Sequence, residues 1–315
     1  MDEIKFTEII YKASLSLEMR TIRVLEFFDF VSSRESVDSK VLLRKFGFPE
    51  TQYKKLLHLF RDYIAPPPGP IRLKDRKMVN IYTKTKLEKN RSIDKTSILN
   101  VLEKYKALRP TPNREFDQFF ATRATTAKRA LKMAKQGDLT GRCVAFLGDD
   151  DLNSIAVAMT GQTAKITVFE IDQNIISVIT TIAQNEELDI EVVKLDVRKD
   201  IPKEYLSKFD TVFTDPPYTP SGISLFINRG IELLKNKMTS RIYVCYGNSD
   251  RARERELEIQ KIIIEKGLLI NTKLFQFNKY NGAESIGSSS SLYLLDWTPK
   301  TQTTNVNTER LYTHE

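Results

Sequence analysis

Three consecutive carboxylates, Asp149-Asp150-Asp151, follow the short apolar run Cys143–Leu147, with only Gly148 between. A second motif, Asp215-Pro216-Pro217-Tyr218, follows another short strand expected at Thr211–Thr214. Such runs suit strands buried on both faces of a parallel sheet. The helix-like residues 152–159 place the triplet in the turn at its strand's carboxyl end, where open α/β sheets bind ligands. A phosphate-binding turn uses glycines here, so that backbone N–H groups can approach an anion. Three adjacent acids repel one another, and a strand–turn–helix does not need them. The chemistry they suit is the binding of a cation.

Acids also end the strands expected at 165–171 and 190–195. An acid just past the second strand suits ribose hydroxyls, which favours Glu170 or Asp172. Asp196 could receive an adenine amino group. Acids at strand ends also serve as helix caps, the plainer reading of any one of them. Without phosphate-binding glycines, the nucleoside implied is S-adenosylmethionine or a relative, in preference to NAD.

The two prolines of the second motif stiffen its loop, remove backbone donors, and hold Asp215 and Tyr218 beside the cofactor's reactive end. That tetrapeptide resembles the motif of methyltransferases acting on exocyclic amines of DNA or RNA bases. There the acid and the prolyl backbone accept from the target amine and Tyr stacks on the base. A methyl donor with its carboxylate intact would be repelled by residues 149–151. Decarboxylated S-adenosylmethionine lacks that carboxylate, carries an ammonium and a sulfonium, and fits better. A polyamine acceptor brings further cations. The step implied is displacement by a neutral amine nitrogen at the carbon next to sulfur, a carboxylate taking the proton. Holding the pair in line supplies much of the acceleration.

The elements that must position these motifs alternate as strand and helix from residue 143 onward, the pattern of a doubly wound parallel sheet. Helices are expected near 98–108, 122–134, 173–186, 223–234 and 250–265, and a fifth parallel strand at 241–246. Residues 268–278 and 291–297 read as a closing antiparallel pair, followed by a polar tail expected to be disordered. Upstream, helical patterns at 4–30, 36–46 and 50–64 precede two short strands expected at 71–73 and 78–82, a winged-helix-like arrangement. The domains expected are thus 1–88 (winged-helix-like), 89–112 (linker), 113–298 (catalytic) and 299–315 (flexible tail).

Composition narrows the partners. Net charge is +8, yet residues 1–110 hold 23 Lys and Arg against 14 Asp and Glu, while 111–315 hold 26 against 27. The basic front half favours nucleic acid, through Lys54, Lys55 and His58 on the third helix, or else marks a scaffold or dimerisation domain with solvated lysines. The N-terminus lacks a signal-peptide pattern and no apolar run would span a bilayer, so a cytoplasmic protein is expected. Cys143 and Cys245 fall in expected strands and read as core residues. A metal site is not expected, since the two histidines, His58 and His314, lie outside the expected site.

The segments Gly148-Asp149-Asp150-Asp151-Leu152, Asp215-Pro216-Pro217-Tyr218-Thr219 and Leu225-Phe226-Ile227-Asn228-Arg229-Gly230 together resemble the branched-chain polyamine synthases, or N(4)-bis(aminopropyl)spermidine synthases. Asp117-Gln118 and the loop from Tyr280-Asn281-Gly282-Ala283 to Ser291 are similar too. The likeness covers roughly residues 110–297. It implies a Rossmann-like, class I methyltransferase-like catalytic domain with a C-terminal antiparallel strand. It implies aminopropyl transfer from decarboxylated S-adenosylmethionine, a co-substrate and not a resident cofactor, to the secondary amine of spermidine, once or twice, releasing methylthioadenosine. A thermophilic source and a homodimer are also implied. Carried onto this sequence, Asp151 is the proton acceptor, with Asp149 and Asp215 holding the aminopropyl ammonium and the acceptor. Asp150, Tyr218, Gln118 and Pro216 become substrate-binding positions, and Gly148, Glu170, Asp172 and Asp196 donor-binding positions. In one departure, residues 298–315 carry two acids and two bases, where an acidic tail would suit a polyamine.

Overall fold

The computed structural model describes residues 3–65, 69–91, 93–247, 253–282, 288–306 and 310–313. The chain divides into two units, Met1–Ile93 and Asp94–Glu315.

The first unit contains α1 (Glu3–Ser16), α2 (Thr21–Ser32), α3 (Ser39–Phe46), α4 (Glu50–Leu59) and α5 (Arg76–Arg91). Its core is aromatic: Phe6, Phe27, Phe28 and Phe60 are fully buried, and the Phe28 and Phe60 rings lie 4.1 Å apart. Gly47 ends α3 in the left-handed region at φ 65°, where a side chain would be strained. The basic hairpin expected after α4 does not form. Ile71 and Leu73 make only single bridges, to Val37 and Ile64. The strand expected at 78–82 is helix α5, which also absorbs much of the expected linker. Val79, Tyr82, Thr83 and Leu87 are the buried positions, a helical spacing that outweighs the β-branched residues between them.

The second unit opens with α6 (Lys95–Lys104), which buries Ile98, Val101 and Leu102 and packs on α7 (Arg123–Lys135). The expected linker is therefore structured on this side as well. The strands are β1 (Cys143–Leu147), β2 (Lys165–Glu170), β3 (Ile190–Lys194), β4 (Thr211–Thr214), β5 (Arg241–Gly247), β6 (Leu269–Lys279) and β7 (Ser289–Asp296). They form one sheet in the order β3-β2-β1-β4-β5-β7-β6. The first five are parallel, and β7 and β6 close the sheet antiparallel. Helices α8 (Asn153–Ala158), α9 (Gln173–Asn185), α10 (Pro220–Leu233) and α11 (Arg253–Glu265) connect them. This is the doubly wound, Rossmann-like fold expected. The strand order reverses between β1 and β4, the crevice where such sheets bind ligands. The two acidic motifs leave the sheet from those neighbouring strands. Among the described residues no helix is long and apolar enough to cross a membrane.

The polar tail is not loose where it is described. Leu311 is fully buried beside Ile223 and Phe226 in the core of the sheet. Upstream, the amide nitrogen of Asn228 donates to the Thr304 carbonyl at 2.6 Å. The fully buried Lys266 ammonium donates to Asn228 Oδ1 and Thr304 Oγ1, both at 2.6 Å, and burial lowers its pKa to about 8. Two apolar side chains in a polar stretch were too weak a signal to find this anchor. Leu311→Ala should therefore destabilise the protein by about 2–5 kcal/mol, the usual effect of emptying a buried leucine site. Denaturant unfolding reads this directly, and an unchanged midpoint would mean that the tail packs on nothing.

Candidate active site

Gly148 leaves β1 at φ 68°, and Leu152 adopts φ 58° on entering α8, so the turn between them is tightly wound. Consecutive side chains in such a turn point in different directions, and the three aspartates have three different environments. Asp149 is 1% exposed and faces α8, where its carboxylate accepts from Asn153 N (2.7 Å), Asn153 Nδ2 (3.2 Å) and Ser154 N (3.0 Å). Burial pushes its pKa up to about 7 against those hydrogen bonds. Asp149, expected to hold the aminopropyl ammonium, thus has both oxygens engaged by the start of α8.

Asp151, expected to be the proton acceptor, is 2% exposed and fully engaged. One oxygen accepts from the Ala121 backbone N–H, the other from Arg129 Nη1 at 2.6 Å. Arg129 comes from α7, is wholly buried, and reaches Asp215 with its other terminal nitrogen at 2.7 Å. Its Nε donates to Asn278 Oδ1 at 2.9 Å. One guanidinium therefore joins the two acidic motifs. Asp215 also accepts from Tyr280 Oη (2.6 Å) and Tyr218 Oη (3.0 Å). Burial raises the Asp215 pKa, with Arg129 opposing.

Asp150 remains. Among the described residues its carboxylate makes no hydrogen bond, although its carbonyl accepts from Arg109 Nη2 at 2.6 Å. It lines a cavity of about 70 Å³ together with Gly148, Glu170, Ile171, Asp215 and Pro217. Burial first, then the like charges of Asp151, Asp215 and Glu170, hold its pKa well above the usual carboxylate range, Arg109 acting in the opposite direction. A half-buried carboxylate without a hydrogen-bond partner is costly until a cation arrives. This arrangement can bind an ammonium or take up a proton from one.

The other expected positions divide. Glu170 borders the cavity while accepting backbone N–H groups from Asp149 (2.8 Å), Ile171 (2.8 Å) and Asp172 (3.0 Å). Asp172 caps α9 and holds Gln118 Nε2 at 2.9 Å, so both side chains brace the rim. Asp196 is turned into a fork with Arg198, and its neighbours Leu195 and Val197 face the cavity instead. Likewise Pro217, not Pro216, reaches the cavity wall. The Tyr218 hydroxyl belongs to the Asp215–Tyr280 cluster, and its ring leans on Tyr246 at 5.2 Å. His58 sits in α4, and His314 lies outside the described residues. The same holds for Ala283 and the following residues to 287 in the loop before β7.

The family model of the branched-chain polyamine synthase A C-terminal domain matches residues 97–313, which include every side chain of the cavity. The chain belongs to the branched-chain polyamine synthase A family. An N(4)-bis(aminopropyl)spermidine synthase of Methanocaldococcus jannaschii is 35% identical over 195 residues, covering 60% of this chain and 55% of that one. Its counterpart from Thermococcus kodakarensis is 34% identical over 195 residues, with the same coverage of 60% and 55%. These matches span about half the length of the curated relatives. The structure of the branched-chain polyamine synthase from Thermus thermophilus, in complex with N4-aminopropylspermidine and 5'-methylthioadenosine, shares the fold over 97% of both chains, with a TM-score of 0.58 and 20% identity.

Within this branched-chain polyamine synthase family chain, Arg129 and Arg109 are site residues that the sequence does not reveal, and Tyr280 stands out there only as the start of a loop. Arg129 lies on an Ala-rich helix far from both motifs in sequence. A buried arginine there has no local signature. Only the antiparallel β6 and the docking of α7 bring it beneath the two aspartates.

Proposed function

We propose that the chain is an aminopropyltransferase that uses decarboxylated S-adenosylmethionine as co-substrate and the secondary amine of spermidine as acceptor. The observation that carries this reading is Asp150: among the described residues its carboxylate has no hydrogen-bond partner and it lines the cavity, while Asp151 and Asp215 are matched by Arg129. The neutral acceptor nitrogen donates its lone pair to the aminopropyl carbon bound to sulfur. That carbon–sulfur bond breaks, and its electron pair stays on sulfur, so the sulfonium leaves as neutral methylthioadenosine. The nitrogen, now an ammonium, passes its proton to Asp150. A second displacement, by the lone pair of the tertiary amine so formed, would give the quaternary N(4)-bis(aminopropyl)spermidine, with no proton left to pass on. The nucleoside end belongs on the side bounded by Gly148, Glu170, Ile171 and Leu195.

Mass spectrometry of products from purified protein, spermidine and decarboxylated S-adenosylmethionine tests the reading. One or two added aminopropyl units, with methylthioadenosine released, are expected. A parallel reaction holds S-adenosylmethionine with DNA and RNA. Methylated nucleic acid there, with spermidine unchanged, would overturn the proposal in favour of base methylation. The reading includes a cytoplasmic homodimer, which light scattering coupled to size exclusion tests. A winged-helix, nucleic-acid-binding role for residues 1–88 is not favoured.

A further inference from the structure

The cavity has a wall that the motifs do not supply. Tyr312 lines it from the C-terminal segment, as do Phe169, Glu170 and Leu195 from the sheet, with the Phe116 ring 6.1 Å from that of Tyr312. Both neighbours of Tyr312 are anchored. On one side, Thr219 Oγ1 donates to the Leu311 carbonyl at 2.7 Å, directly beyond the Asp215–Tyr218 motif. On the other, Thr313 donates through its backbone N–H (2.7 Å) and hydroxyl (2.6 Å) to the two carboxylate oxygens of Asp117. The approach is close enough that a Cβ on Gly222 would lie 2.8 Å from the Pro217 carbonyl and 2.9 Å from that of Leu311.

The segment 310–313 carries no carboxylate, so it adds nothing to the attraction of a polyamine. What it contributes is an aromatic face, which suits a purine by stacking and an ammonium by cation–π attraction; of these the neutral purine is the part that the carboxylates of the cavity do not already hold. At about 70 Å³ the cavity is also far smaller than the roughly 300 Å³ or more of an ordinary ligand pocket.

We propose that Tyr312 is a specificity residue for the donor, forming the outer wall against which the nucleoside packs, with Leu311 and Thr313 as its anchors. This rests on the aminopropyl-transfer reading only in naming the nucleoside. Stripping a ring from a base-stacking site commonly weakens binding roughly 5- to 100-fold. Titration calorimetry of the full chain with 5'-methylthioadenosine should show a loss of that size for Tyr312→Ala and near wild-type affinity for Tyr312→Phe. In steady-state kinetics Tyr312→Ala should raise the KM for the donor and leave that for spermidine within twofold. Thr313→Val, which keeps the ring but loses the hydroxyl anchor, should give a smaller loss and guards against an unfolded alanine variant. Wild-type affinity in Tyr312→Ala, or an equal rise in both KM values, would overturn the proposal. If the unaltered chain fails to bind methylthioadenosine at all, the functional reading fails first.

Discussion

Asp150→Asn is expected to lower kcat by roughly 10²- to 10⁴-fold, the range typical of losing a positioned proton acceptor. Asparagine has nearly the same shape, so packing in the turn should be kept, but it cannot take a proton from the attacking amine. Methylthioadenosine carries neither ammonium nor sulfonium, so its affinity should be unchanged. The pH profile separates this role from a purely structural one. The ionised form of Asp150 is the active one, and burial among like charges raises its pKa. Activity should therefore fall as pH drops through a value above the ordinary carboxylate range, and that acid limb should vanish in the variant. Cationic substrates oppose the raised pKa, so the limb should lie lower in kcat than in kcat/KM for the acceptor. Wild-type turnover in Asp150→Asn would return the role to Asp151, whose replacement would then have to abolish activity.

Arg129→Leu should be the most damaging single change to the fold of the site. Its guanidinium is wholly buried and makes ion pairs of 2.6 Å to Asp151 and 2.7 Å to Asp215. Removing it leaves two carboxylates dehydrated and unmatched, and breaking a buried pair in this way costs about 3–5 kcal/mol. Denaturant unfolding measures the loss. Arg129→Lys should recover little, because one ammonium cannot reproduce bonds to Asp151, Asp215 and Asn278 from a single planar group. The control is the triple variant Arg129→Leu, Asp151→Asn, Asp215→Asn. With the stranded charges gone, it should regain much of the stability while remaining inactive. If Arg129→Leu alone unfolds like the unaltered chain, the charge-matching account of the turn is wrong. Arg129 then would be dispensable packing.

These two substitutions separate what is local in the site from what is not. The sheet was legible because its strands include short apolar runs such as Cys143–Leu147. A strand covered on both faces needs such a run, whatever surrounds it. An acid at a strand's carboxyl end is likewise a local fact, so both acidic motifs could be placed at one sheet edge before any coordinates. The short elements of the first unit were less legible. Residues 78–82 have β-branched content and a helical burial period at once, and packing against α2 decides between them. The tail was misread for a related reason: Leu311 and Tyr312 acquire a partner surface only when α10 is in place.

Within the triplet, sequence showed that the turn is built around carboxylates, the basis of the proposed cationic ligand. It could not rank Asp149, Asp150 and Asp151, because identical neighbours carry identical local information. Tertiary structure made that choice. The first backbone amides of α8 take Asp149, Arg129 and the Ala121 amide take Asp151, and Asp150 is left to face the cavity. The physical reason is that ionisation and reactivity depend on which partners surround a carboxylate, and those partners come from distant segments of the chain.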